Sequence, residues 1–412
     1  MRKRGLIALV ALVVAGVVVA AVFATDGRDS PSSGARLIPQ PRENTLNART
    51  RRRLAPSSKR VDLVAPTFTS SSVQITNPLF PISRLQSAVL VGKLEGVRWR
   101  AETTLLPRIE TVAWNGMKVR TRVSQFVAYL DGRIFEVAVD RYGQAADGSV
   151  WYLGEDAYTY EHGRVSDTEG TWLAGKDGPP AMIMPARPHV GDVYRTENIP
   201  GTVFEQVTIE KVGETLNGPT GPVHGVIVGR ELHMDEVRLE EKVFAPEYGE
   251  FHSGGGRTYE ATALVVPADA ARGPEPRALA DLFGDALAVY RAARTGRWQV
   301  AVAGLTRIER ERQTSTTPLR LAAELRDAVG RLAGAIRSRR ARPASDAALD
   351  VASASLDLQL RYRSQRAIDT ARLRLWTLRL AADRTARDRA AARGDLATIH
   401  WIRERISTLT GS

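Results

Sequence analysis

The hydrophobic rhythm of the chain changes twice. Leu6 to Ala24 is a run of 19 residues without a charge. From about residue 85 to residue 267, apolar and polar residues alternate with a period near two, the mark of strands with one buried face. After "PADAARGPEP" (267–276) the spacing lengthens. Leu279, Leu282, Ala286 and Val289 step by three, four and three, as on an amphipathic helix.

Turn signals divide the middle segment. Asn115-Gly116, Asp131-Gly132 and Asp147-Gly148 are hairpin dipeptides spaced 16 apart. They predict that 117–130 and 133–146 are adjacent antiparallel strands of a meander. In "VRTRVSQFVAYL", one face carries Val119, Thr121, Val123, Gln125, Val127 and Tyr129, and the other Arg120, Arg122, Ser124, Phe126, Ala128 and Leu130. A two-residue turn at Asp147-Gly148 sets Asp140 opposite Glu155 and Tyr142 opposite Leu153. About a dozen strand-like runs predict a large curved sheet, a half-barrel or a barrel. The concave face of such a sheet is filled by its own side chains or holds a ligand. Met182, Ile183 and Met184, between prolines, read as a packed loop over one end of the sheet, with a lid as the functional alternative.

The tail repeats helically at Leu321, Leu325, Val329, Leu332 and Ile336, at Leu349, Ala352 and Leu356, at Leu373, Trp376 and Leu380, and at Leu396, Ile399, Ile402, Ile406 and Leu409. Five or six helices make a bundle. Ser345 and Asp346 offer an N-cap, and Gly394-Asp395 is placed between the last two helices. The expected class is therefore α+β: an antiparallel β domain (75–267), a short linker (268–276) and an all-α bundle (277–412). Ahead of them come the apolar segment (1–24) and a Pro-, Ser- and Arg-rich stretch (25–74) that reads as a disordered basic linker.

Charge changes this picture. The net +12 hides three blocks of opposite sign: +9 over residues 1–60, −9 over 61–271 and +12 over 272–412. The acidic middle and basic tail are expected to dock. Surface attraction alone is too weak to hold them, so an apolar stripe must be buried as well, with Leu373, Trp376 and Leu380 the first choice. Nucleic-acid binding is not expected, since the basic residues of the tail are arginines scattered over helices with no recognition motif. Basic residues before the Leu6–Ala24 run make it a signal-anchor, or a signal peptide cleaved near Ala24. Both readings place the rest outside the cytoplasm, with the membrane as a partner of the amino-terminal segment.

The chemistry is sparse. With no cysteine, thiolate nucleophiles and Cys-ligated metals are excluded. There is no Gly-rich phosphate loop, no G-x-S-x-G, no H-E-x-x-H and no cofactor motif. Asp140, Glu155 and Asp156 are a candidate hard-cation site of the Ca²⁺ type. The plainer reading is a solvated rim compensated by Arg141. A glycosidase-like acid pair would need a sugar cleft lined by aromatics. "HMDE" (233–236) with His224 offers a second ligand group. His252 and Ser253 adjoin in "HSGGG", but neighbours on a strand point to opposite faces and cannot act as base and nucleophile.

The motifs "NPLFPI", "DGSVWYLGED", "GTWLAGKDGPPAMIMPARPHVGDVYRTE" and "EKVFAPEYGEF" resemble a family of uncharacterised secreted or envelope β-domain proteins of actinobacteria, over about residues 75–267. That family's hairpin usually carries an acidic residue where this chain has Ala145, and it brings no activity with it. The tail resembles uncharacterised helical envelope domains and is similar in style to imelysin-type bundles. By shape alone, the β domain is similar to half-barrel carriers of lipid and lipoprotein. The expectation is a non-enzymatic extracytoplasmic protein whose sheet binds an apolar or lipid-like ligand. The alternatives are a membrane-tethered scaffold recruiting an anionic or protein partner through its bundle and, third, a glycan-acting hydrolase.

Overall fold

The computed structural model describes residues 36–408 apart from 235–238, 256 and 315–316. The Leu6–Ala24 segment lies outside the described residues. Among the described residues no helix is long and apolar enough to cross a membrane.

The strands are β1 (Ser87–Leu94), β2 (Val97–Trp114), β3 (Met117–Leu130), β4 (Arg133–Gln144), β5 (Val150–Glu161), β6 (Arg164–Asp167), β7 (Trp172–Leu173), β8 (Ala181–Met184), β9 (Val193–Ile199), β10 (Val203–Asn217), β11 (Pro222–His233), β12 (Leu239–Ala245), β13 (Gly249–Gly255) and β14 (Thr258–Val266). They form one antiparallel sheet in the order β6-β5-β4-β3-β2-β1-β14-β13-β12-β11-β10-β9, with β7 and β8 added on β5. The sheet coils without closing. Asn115-Gly116 and Asp131-Gly132 both have two residues at positive φ, the tight turn that suits the twist of long strands. Glu95-Gly96 and His162-Gly163 do the same with residue types that carry a weaker signal. At the third predicted turn only Gly148 is at positive φ, and the Ala145 amide bonds the Ser149 carbonyl. The strands therefore pair Gln144 with Val150 and Tyr142 with Tyr152, not Leu153. A bulge then restores Asp140 opposite Glu155.

After a short helix α1 (Ala48–Arg51), the remaining helices lie in the tail: α2 (Arg277–Arg294), α3 (Trp298–Glu311), α4 (Leu319–Arg337), α5 (Ala341–Gln359), α6 (Gln365–Thr385) and α7 (Arg389–Thr408). Helix α5 begins four residues before the expected cap. Pro343 sits in its first turn, where a missing N–H costs nothing, and Ser345 bonds back to the Ala341 carbonyl. The last break falls at Arg387, at positive φ, not at Gly394-Asp395. Gly394 is inside α7, and the β5–β6 turn lies against it: a Cβ on Gly163 would sit 2.3 Å from the Gly394 nitrogen.

The bundle packs on the outer face of the sheet. Val89, Val123, Val127, Tyr129, Val137 and Val139 share one apolar core with α2 to α7. Trp376 stacks on Tyr129 at 5.7 Å, and Trp401 Nε1 donates to the Tyr160 hydroxyl at 2.8 Å. Buried charges cross this seam. Arg372 meets Glu102 and, at 2.7 Å, Asp357. Arg405 meets Asp369 at 2.6 Å and Gln125 at 3.0 Å. Arg133 reaches Asp383 and Asp395 at 2.7 and 3.1 Å.

A second core fills one end of the inner face, around Trp114, Trp151, Leu153, Trp172 and Met184. Met182 and Met184 belong to strand β8 on β5 and are buried, so this segment is neither loop nor lid. Residues 36–74, read above as part of a disordered linker, are instead an ordered strap. Arg60 bridges β9 at Val193, Asp62 accepts from the Arg195 amide, and Ile38, Leu46 and Val73 are buried. The strap covers β9, the exposed edge of the sheet. Arg60, which looked like linker charge, pairs with Asp62 at 2.7 Å.

Candidate functional site

Strand alternation explains what the inner face presents at its other end. On β4 Glu136, and on β5 Glu155, Ala157 and Thr159 with period two, share that face. Together with residues of the strands from β9 round to β14, they line a cavity of about 380 Å³. Its wall includes nine carboxyl groups: Glu136, Glu155, Asp167, Glu169, Glu197, Glu205, Glu240, Glu250 and Glu260. Among the described residues, Lys93, His233 and Lys242 stand against them. Trp99, Phe126 and Phe204 supply apolar wall, and Trp99 Nε1 donates to Glu260 at 2.8 Å. The wall is acidic where an apolar one was expected.

The three residues singled out from the sequence divide between the two faces. Asp140 is buried and accepts from Ser124 Oγ at 3.0 Å and the Tyr152 hydroxyl at 2.7 Å. Burial pushes its carboxyl up to about 6 against those two donors. Glu155 faces the cavity. Burial, then the Asp140 charge, pushes it up to about 8. It shares a hydrogen bond with Glu197 across the mouth of the coil, and burial with the Glu205 charge raises Glu197 well above the carboxylate range. Two carboxyl groups this close hold a proton between them. Asp156 is on the outer face and pairs with Arg141 at 2.6 Å. The trio is not one ligand set, because adjacent strand residues cannot face the same way.

A tighter cluster lies on β10, β11 and β12. His233 Nδ1 is 3.1 Å from Glu205 Oε1, and Nε2 is 3.6 and 3.8 Å from Glu240 Oε2 and Glu231 Oε2. Lys242 Nζ lies 3.3 Å from Glu231 and 3.1 Å from Glu250. Burial opposes a charged ring, but Glu205, Glu240 and Glu231 outweigh it and push His233 up to about 10. Burial likewise works to raise Glu205, yet His233 and Lys242 hold it at about 2. Glu231, wholly buried and beside the Glu205 charge, is pushed up to about 7. Burial, then Asp140, brings Glu136 to about 7 as well.

The sequence pointed to His233, and of its expected companions the structure places one elsewhere. His224 is exposed beside Thr215, and Asp235 and Glu236 lie outside the described residues. The partners come from neighbouring strands: Glu205 pairs with His233, and Glu231 with Glu240. Counting back from the β10–β11 turn misses this. The strands pair Asn217 with Pro222, but bulges shift the register by one before Glu205 is reached. His252 pairs with Glu241 at 3.3 Å while Ser253 lines the cavity, so they stand on opposite faces as expected.

Comparison with models of protein families, with curated proteins and with solved structures returns no match.

Proposed function

We propose that this is a non-enzymatic, membrane-tethered extracytoplasmic binding protein whose β domain takes a positively charged ligand. The observation that carries the reading is the cavity wall, where the described residues set nine carboxyl groups against three basic ones. Buried carboxyl groups that lack cations either stay protonated or wait for a cation from outside. The raised Glu155 and Glu197 are in the first condition and would exchange their shared proton for a cation. Trp99, Phe126 and Phe204 leave room for the carbon chain of an organic amine. A neutral lipid would bury these carboxyl groups with no compensating charge, so the wall favours an amine over the apolar ligand expected from strand pattern. The scaffold reading needs a free apolar stripe on the bundle, whereas Trp376 and Trp401 are spent on the sheet. The extracytoplasmic placement rests on the basic residues before the uncharged Leu6–Ala24 run. Protein recovered from the medium with Thr25 at its amino end would replace the anchor by a cleaved signal.

The test is calorimetric titration of the full-length protein with spermidine. Binding is expected with proton uptake by the buffer, and a Glu155→Gln, Glu197→Gln double variant should weaken it about 10-fold or more. No spermidine binding, or equal binding by the double variant, would sink the reading.

A further inference from the structure

We propose that Glu205, Glu231 and His233 form a binding site for a first-row divalent metal ion of the Zn²⁺ class, set in the wall of the acidic cavity. The proposal rests on the cation-binding reading of that cavity and names one occupant. One ligand atom from each of these residues lies within 4.8 Å of the other two, close enough for small side-chain rotations to gather them around one ion. The ligand set is two carboxylates and an imidazole, hard and borderline donors that suit Zn²⁺ and its neighbours in the first row.

A second observation points the same way. Glu231 Oε2, Glu240 Oε1 and both ring nitrogens of His233 are buried yet make no directed hydrogen bond. Their residues are 0%, 6% and 4% exposed. The contacts within 4 Å are charge attractions, those of Nε2 being too long for hydrogen bonds, and undirected buried polar atoms are costly. A metal ion would take the lone pairs of the two carboxylates and of one His233 nitrogen, the proton on that nitrogen leaving to solvent as the ion enters. The hydroxyl of Thr196, on β9, lies 3.1 Å from Glu205 Oε2 and 3.4 Å from Glu231 Oε1, and its one proton can orient either carboxylate from behind. Lys242 is the nearest competing cation. It keeps Glu250 at 3.1 Å as a partner when Glu231 turns to the metal. On the cavity side Glu240 stands next to the ring, ready to serve as a fourth donor or to hold a metal-bound water.

The experiment uses full-length protein freed of metal by a chelator, with Zn²⁺ alone as the probe in calorimetry. One ion per chain is expected. His233→Gln and Glu231→Gln should each weaken binding by about 100-fold or more, while Asp156→Asn, on the opposite face, leaves it unchanged. X-ray absorption of the Zn²⁺-loaded wild type needs no variant: it should show one imidazole among oxygen ligands. Absence of Zn²⁺ binding, absence of an imidazole, or binding indifferent to His233→Gln and Glu231→Gln would each overturn the site. Spermidine separates this failure from the broader one. If spermidine binds and Zn²⁺ does not, the metal site falls and the cationic cavity stands. If neither binds, both fall.

Discussion

On the outer face of the sheet Glu102 lies under the bundle and meets Arg372, Arg405 and Arg100. On the inner face Glu155 lies opposite Asp140 and meets Glu197. Both are glutamates on strands of the same sheet, removed from bulk water. Burial works to raise both carboxyl groups, but the arginines reverse that at Glu102 and hold it far below the carboxylate range, whereas at Glu155 a second carboxyl adds to it. A carboxylate that finds a guanidinium inside its own chain becomes part of a seam. One that finds another carboxyl keeps a proton and remains open to a cation from outside. The contrast separates the face that holds the two domains together from the face proposed to bind a cation.

The sharpest way to break this contrast is to remove Arg372. Its guanidinium contacts Glu102, Asp357 and Asp369, all buried. Arg372→Ala should destabilise the protein by about 3–5 kcal/mol, because it strands carboxylates in the seam as well as deleting a pair. Urea denaturation of the full-length protein reads this. A loss below about 1 kcal/mol would mean that the seam is solvated and that the two faces do not differ in kind.

A smaller effect of opposite sign is expected from Glu155→Gln. Glu155 is raised to about 8, so the folded state holds its proton at pH values where the unfolded state has lost it. Its contribution is fully present below about pH 4.5 and is lost as pH rises through about 8. Glu102 is depressed and behaves in reverse: its contribution is present above the ordinary glutamate range and lost on acidification. The amide removes the alkaline loss. It should stabilise the protein by about 1–2 kcal/mol near pH 8.5 and by little near pH 5, less than the full shift implies because solvent in the cavity screens the charge. Denaturation midpoints for wild type and variant at the two pH values give the difference. Equal effects at both would show that Glu155 does not carry a raised pKa.

How much of the two faces could be read from sequence follows from the same residues. Strand alternation and the Asn-Gly and Asp-Gly turns are local, and they placed β3 beside β4 and set Val123, Val127 and Tyr129 apart from Phe126, Ala128 and Leu130. The Trp376 stripe was legible because helical spacing is local as well. The motif "NPLFPI" is explained only in three dimensions: the Asn77 amide donates to the carbonyls of Gly148 and Pro185, pinning a hairpin turn and the end of β8 together. In "DGSVWYLGED", Gly154 is at φ +135° with the Trp172 carbonyl 2.5 Å from where a Cβ would be. The acidic cavity was not legible, because it is assembled from seven or more strands whose bulges move the register one residue at a time. Nor was the strap, since Pro- and Ser-rich composition carries no sign of an edge strand waiting to be covered.

The smallest predicted effect sets the scale for the others. Arg84, just before β1, makes two hydrogen bonds of 2.8 Å to both carboxylate oxygens of Glu247 in the β12–β13 turn. Both bonds come from one nitrogen, Nη2, and are as short as many in the seam, yet the two side chains are 57% and 51% exposed. In water the Coulomb gain is small, and holding two long side chains in one arrangement costs entropy. Arg84→Ala should therefore change stability by about 0.5 kcal/mol or less, and the change should vanish in molar salt. Arg372→Ala should keep most of its effect in the same salt, because ions do not reach a buried pair. If Arg84→Ala instead cost as much as Arg372→Ala, short contact distance rather than burial would set the strength of these pairs. The difference between the two faces would then have to be sought in hydrogen bonding instead of solvent exclusion.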